Sequence, residues 1–154
     1  MHVCRLGLDW NEKKSICNKF PQNSAVTTLC WPAQRHNEVV FGLADGKVKL
    51  GLLKANKTYS MYQHPESSCV VSLAANSSGT AIVSGHADGS IYRFTFPETE
   101  GQAPTYAKLL QHSCCPTALA WGDSICVTGS DSKVCACAIA AARAAGCLHR
   151  QQCC

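Results

Sequence analysis

Twelve cysteines and six histidines are the residues of this 154-residue chain best equipped for chemistry. Cys135, Cys137, Cys147, Cys153 and Cys154 crowd the last twenty positions, with His149 among them. Thiolates and imidazoles are the ligands that tetrahedral zinc takes, but structural sites usually pair them as Cys-x2–4-Cys. Here a Cys-x-Cys is followed by nine residues, and an adjacent Cys pair ends the chain. That spacing reads as a thiol-rich tail that oxidises or scavenges metal non-specifically. The run His112-Ser113-Cys114-Cys115 is weaker still, because it falls where a strand-connecting loop is expected.

Nucleophilic catalysis needs a thiol or hydroxyl beside an imidazole that a third group orients. With this many Cys and His, chance pairs are expected, and neither a Gly-x-Ser-x-Gly elbow nor a Gly-rich phosphate loop is present. Glu98 and Glu100 lie in a Pro-rich stretch, where solvated carboxylates are the default. No catalytic, cofactor-binding or metal-binding residue is expected, and the chain reads as a non-enzyme. Cys17, Cys30, Cys69 and Cys126 sit within apolar stretches, where a free Cys acts as a small hydrophobe.

The elements that position these residues follow from composition and repetition. Hydrophobic residues make up 46% and charged residues 16%, which argues against wholesale disorder. No apolar run approaches the ~20 residues of a membrane span. Residues 1–25 carry Arg5, Asp9, Glu12, Lys13, Lys14 and Lys19, with no uninterrupted apolar core. A secretory leader is therefore not expected, nor a disulfide framework, and the expectation is a soluble intracellular chain. The net charge of +4 resides in residues 1–66. It does not cluster beyond pairs such as Lys13-Lys14, so no nucleic-acid partner is expected.

A repeat organises the middle of the chain. Ala44-Asp45-Gly46-Lys47-Val48, Ala87-Asp88-Gly89-Ser90-Ile91 and Ser130-Asp131-Ser132-Lys133-Val134 place aspartates 43 residues apart, twice. A short apolar run lies on each side of every turn, as in Val39–Leu43 with Lys47–Leu50. Asp-Gly between such runs predicts a tight hairpin, since Gly tolerates positive φ and Asp bonds its own turn. Asp45, Gly46, Asp88, Gly89 and Asp131 are the predicted turn residues. A further strand precedes each hairpin, at Val26–Trp31, Val70–Ala75 and Thr117–Trp121, and outer strands fit Tyr59–Gln63 and Tyr106–Gln111. A period of ~40–45 residues built from four short strands is the signature of propeller blades. The fold class is all-β.

These residues resemble the WD40-repeat family. Ser84-Gly85-His86-Ala87-Asp88-Gly89-Ser90-Ile91 looks like the family's hairpin, in which the resemblance makes the turn Asp an acceptor that locks the blade. The Trp-Asp pair that closes the family's third strand is missing; Leu50-Gly51, Phe94-Thr95 and Ala136-Cys137 stand there. The His partner of each Asp is not obvious in every copy. A second resemblance runs colinearly from about residue 5 to about residue 136, carried by Asp9–Phe20, Val39–Val48 and Ser84–Gly89. It is to the large propeller-plus-helical-repeat subunits of intraflagellar transport complex B. It implies a fragment of an amino-terminal propeller, with a blade remnant at 1–25 and blades at about 26–66, 67–113 and 114–136. It also implies a non-catalytic scaffold in cilium assembly, partnered by other complex B subunits, in the cytoplasm, the cilium and the ciliary base. Open blade edges imply self-association.

Residues 137–154 depart from the repeat as composition shifts to Ala and Cys. They read as an irregular or short-helical tail, with Ile139–Ala145 the helical candidate, translated from another reading frame or from unspliced sequence. Two other functions stay open: a non-ciliary WD40 adaptor such as a vesicle-coat component, and a small metal- or thiol-binding protein acting through this tail. Trp31 and Trp121 end matching inner strands and are expected to pack between blades, and His86 to bond within its blade. Trp10, in the charged run Asp9–Lys14, is the aromatic expected to touch a partner.

Overall fold

A computed structural model describes residues 1–4, 17–97 and 104–122, together with the backbone of strands at 125–130, 133–138 and 152–153. The strands in chain order are β1 (His2–Cys4), β2 (Cys17–Lys19), β3 (Val26–Cys30), β4 (Glu38–Leu43), β5 (Lys47–Leu52), β6 (Lys57–Gln63) and β7 (Val70–Ala75). They continue as β8 (Ala81–His86), β9 (Ser90–Thr95), β10 (Thr105–Gln111), β11 (Ala118–Trp121), β12 (Ile125–Ser130), β13 (Lys133–Ala138) and β14 (Gln152–Cys153). Among the described residues there is no helix, and so none long and apolar enough to cross a membrane. The tail expectation changes at both ends. Strand β13 runs two residues past the expected boundary at 136, and Gln152–Cys153 pairs with it as a further strand. The helical candidate Ile139–Ala145 lies outside the described residues.

Three four-stranded antiparallel meanders follow one another: β3-β4-β5-β6, β7-β8-β9-β10 and β11-β12-β13-β14, here the first, second and third sheets. A two-stranded ribbon, β1-β2, precedes them. The register repeats from sheet to sheet. Thr28, Ser72 and Ala118 stand opposite Gly42, Gly85 and Gly129, and those glycines stand opposite Val48, Ile91 and Val134. Even the irregularities recur, with a bulge between Val26 and Thr28 on β3 and between Val70 and Ser72 on β7. Bulges kink a strand and re-aim a side chain. At the first of these, Thr27 Oγ1 donates to the carbonyl of Val70 on the next sheet at 2.5 Å.

The core lies between the sheets. Val40, Val48 and Tyr62 of the first sheet pack on Val70, Leu73, Ile82, Phe94 and Phe96 in and beside the second. Ala74, Val83 and Ile91 of the second receive Leu119 and Trp121 of the third. Phe20, Val39, Phe41 and Leu43 form a separate cluster that joins the ribbon to the first sheet. Strands buried on both faces account for the near-continuous apolar runs of β4 and β8. Glycine is required where the inner strands meet. A Cβ at Gly42 would overlap Val70 Cγ1, and one at Gly85 would lie 2.6 Å from Ser72 Oγ.

Candidate functional site

Antiparallel meandering brings the β4–β5 and β8–β9 turns to the same end of the array as the β6–β7 and β10–β11 connections. Both turns close as the sequence predicts. Gly46 N–H donates to Leu43 O at 3.1 Å and Gly89 N–H to His86 O at 2.9 Å, with φ of +82° and +89° at the two glycines. Each turn aspartate accepts from the backbone two residues on: Asp45 Oδ1 from Lys47 N–H at 3.3 Å, Asp88 Oδ1 from Ser90 N–H at 3.0 Å.

The second turn is tied across the seam between sheets. The β6–β7 connection carries His64, whose Nε2 lies 3.1 Å from Asp88 Oδ2 and 3.0 Å from Ser90 Oγ. Ser90 in turn donates to Asp88 Oδ1 at 2.6 Å. His64 Nδ1 accepts from the backbone N–H groups of Glu66 and Ser68, at 3.1 and 3.3 Å. That network assigns the ring proton to Nε2, so His64 donates to Asp88 and Ser90. His86 is fully buried beside it, its ring 4.7 Å from that of His64. Its Nδ1 bonds Ser68 O at 3.0 Å and its Nε2 bonds Ser84 Oγ at 3.1 Å. Tyr92 packs edge-on against both imidazoles, and Tyr62 against that of His86.

Charge in this cluster follows its surroundings. Burial works against ionisation of Asp88, but hydrogen bonds from Ser90 and the neighbouring His64 outweigh it and hold the carboxyl below its usual range. Burial pushes His86 below the usual imidazole value, although its bond to Ser68 O opposes the shift. Burial likewise raises the Tyr62 hydroxyl, with Tyr92 adding to the effect.

Asp, His and Ser within bonding distance invite comparison with a hydrolytic triad, and the geometry rejects it. Asp88 and Ser90 meet the same nitrogen of His64, and the other nitrogen is occupied by backbone donors. No lone pair on the ring faces Ser90, so His64 cannot take its proton. Ser90 is fully buried and spends its own proton on Asp88. Burial pushes the Cys30 thiol up to about 12, far from a working thiolate. Among the described residues no group of three His, Cys, Asp or Glu is placed to hold a metal ion. What the cluster does is fix loops. Pro65, Glu66, Ser67, Ala87 and Asp88 stand exposed on a rigid seam.

The remaining sequence candidates divide. Asp45 is met by Lys47 Nζ at 2.6 Å rather than by a histidine. Burial opposes its ionisation too, and Lys47 overcomes this to hold the carboxyl low. Trp121 packs against the second sheet, with the Arg93 guanidinium 5.5 Å from its ring. Trp31 stays 49% exposed and is not packed between two sheets. Its register equivalents, Ala75 and Trp121, each lie against the preceding sheet, whereas only the ribbon precedes β3. Asp131 and Trp10 lie outside the described residues. Sequence reasoning missed His64 as the partner of Asp88. The available signal was a Gln-His pair closing each outer strand, Gln63-His64 and Gln111-His112. Each of these histidines donates its N–H to its own sheet's turn glycine, at 3.0 Å to Gly46 O and 2.7 Å to Gly89 O.

The array defines a class, the WD40-type β-propeller, of which this chain is an incomplete example. It superposes on the WD40 propeller domain of Doa1 with a TM-score of 0.62 at 18% identity, over 77% of this chain and 39% of that one. It also superposes on the computationally designed Ika4 protein, with a TM-score of 0.59 at 31% identity, over 77% of this chain and 69% of that one. No family model matches the sequence. Segments of individual proteins do: intraflagellar transport protein 172 of Chlamydomonas reinhardtii is 58% identical over 123 residues, and the Homo sapiens homologue 50% over 135. These alignments cover 80% and 87% of this chain. The chain belongs to the intraflagellar transport protein 172 family, and it spans about 7% of the length of these relatives.

Proposed function

We propose that the chain is a non-catalytic docking scaffold that serves intraflagellar transport and cilium assembly. The observation that carries the reading is identity of 44–58% to family members from an alga, a mammal and a fly. The locked seam supports the mode of action, because a scaffold needs loops held rigid on packed strands. Its partners are other subunits of transport complex B, and its place is the cytoplasm, the ciliary base and the cilium. Its open sheet faces also make it self-associate.

Affinity purification of the tagged chain from ciliated cells, followed by mass spectrometry, tests the reading. Recovery of complex B subunits above a control carrying residues 137–154 alone is the expected outcome. Recovery of chaperones with nothing ciliary overturns it. Deletion of 139–154, which keeps β13 whole, is expected to leave partner recovery intact; its loss would transfer the function to the tail.

A further inference from the structure

The outer strands of the first and second sheets, β6 and β10, flank an aromatic seam on the outside of the array. Register places Lys57, Tyr59 and Tyr62 of β6 on the face of Val48 and Leu50, which is turned to the second sheet. It places Tyr106 and Lys108 of β10 on the face of Phe94 and Tyr92, which is turned to the first. The rings meet across the seam. Tyr62 lies 4.7 Å from Tyr92 and 4.9 Å from Tyr106, centre to centre. Tyr59 and Tyr106 are 52% and 59% exposed, whereas Tyr62 is 6% exposed. Each of β6 and β10 is the last strand of its meander, so each carries a free edge whatever stands before or after the array.

Two features of the seam call for an occupant. The Tyr62 hydroxyl is buried and makes no hydrogen bond, not even to the neighbouring Tyr92. A buried donor left without an acceptor is costly and rare. The charge on the seam is also one-sided. Lys57 and Lys108 stand exposed, and among the described residues neither forms an ion pair. The described carboxylates are spent or lie elsewhere: Glu38 bonds Arg35, Asp45 bonds Lys47, Asp88 accepts from Ser90 and His64, and Glu66 is in the β6–β7 connection. We propose that this seam docks an extended, acidic segment of a partner protein. Its carboxylates meet Lys57 and Lys108, its apolar side chains lie on Tyr59 and Tyr106, and one of its backbone carbonyls accepts from the Tyr62 hydroxyl. Reaching that hydroxyl takes one side-chain rotation of Tyr106, which its exposure allows. An extended segment suits a seam flanked by free strand edges. The inference rests on the docking role proposed above and names its surface and its partner's chemistry.

Fluorescence anisotropy of a labelled peptide of alternating Glu and Val, titrated with the whole chain, tests this. Binding is expected, with none for the counterpart of alternating Lys and Val. Lys57→Glu with Lys108→Glu is expected to weaken binding about tenfold. Tyr62→Phe is expected to weaken it about fivefold while holding or raising the melting temperature, because it removes a hydroxyl that nothing satisfies. A hydroxyl with a purely structural role would instead lower the melting temperature when removed. No binding of the acidic peptide, equal binding of both peptides, or unchanged affinity in the Lys57 and Lys108 double variant overturns the proposal. Loss of self-association in that variant with no change in peptide binding gives the seam to a second copy and overturns it too. Full recovery of complex B subunits by the double variant overturns this surface and leaves the docking role standing.

Discussion

Asp88 owes its low carboxyl range to Ser90 and His64 against the pull of burial, and His86 is held neutral by burial next to it. Both groups have folded-state pKa values below their ordinary ones. The unfolded chain therefore binds more protons, and stability rises with pH across each window. The His86 contribution is complete above ~6.5 and the Asp88 contribution above ~3.9, the ordinary values. Both are lost as pH falls below those values. Melting temperature followed by circular dichroism is expected to hold between pH 7 and 8, decline below ~6.5, and decline faster below ~4. His86→Gln is expected to flatten the upper limb; an unchanged limb would remove His86 from the account. His64→Ala removes the donor to Asp88 and to buried Ser90 and leaves the backbone N–H groups of Glu66 and Ser68 without their acceptor, and is expected to cost about 1–3 kcal/mol in urea unfolding. The pairing of His64 with Asp88 was not read from the sequence. His64 lies 24 residues before Asp88, and only the crossing of one sheet's last loop over the next sheet's turn brings them together.

Hairpins were the legible element. Asp-Gly turns are local chemistry, so β4-β5 and β8-β9 fall where short apolar runs and turn residues put them, and the outer strands end at Gln63 and Gln111 as read. The glycines within strands were legible only as a pattern, since their reason is the neighbouring sheet. Gly85→Ala pushes a methyl to 2.6 Å from Ser72 Oγ and 2.8 Å from Pro116 Cγ. Overpacking of this kind is expected to destabilise by about 1–3 kcal/mol. Gly89→Ala meets His112 O at a positive φ, so it adds backbone strain of about 1–3 kcal/mol and is expected to be the worse of the two. Ala107→Ser, on exposed β10, is the control and should stay within ~0.5 kcal/mol. Equal midpoints for all three would remove the sheet contact as the reason for glycine.

At the scale of the whole molecule the sheets are coupled at both ends. Opposite the turn seam, the Arg35 guanidinium lies 3.8 Å from the centre of the Phe96 ring, donates to Gly79 O at 2.9 Å and pairs with Glu38 at 2.7 Å. Arg35→Lys keeps the charge but not the planar fork, and is expected to lower stability by about 1 kcal/mol. A variant as stable as the parent would show that the loop-to-loop contact contributes nothing. An array open at its first face is also expected to aggregate or associate rather than melt as a monodisperse monomer with one sharp transition. Light scattering on the heated chain separates the two.

The sequence by itself determined the period of 43 residues, the tight turns and the all-β class, because turn chemistry and short apolar runs between turns are local properties of the chain. Tertiary structure alone decided which histidine meets which aspartate, and why Trp121 is covered while its equivalent Trp31 is half exposed. Those outcomes depend on which sheet stands next to each residue. Equivalent positions carry the same local signal whether or not a neighbour is there to bury them.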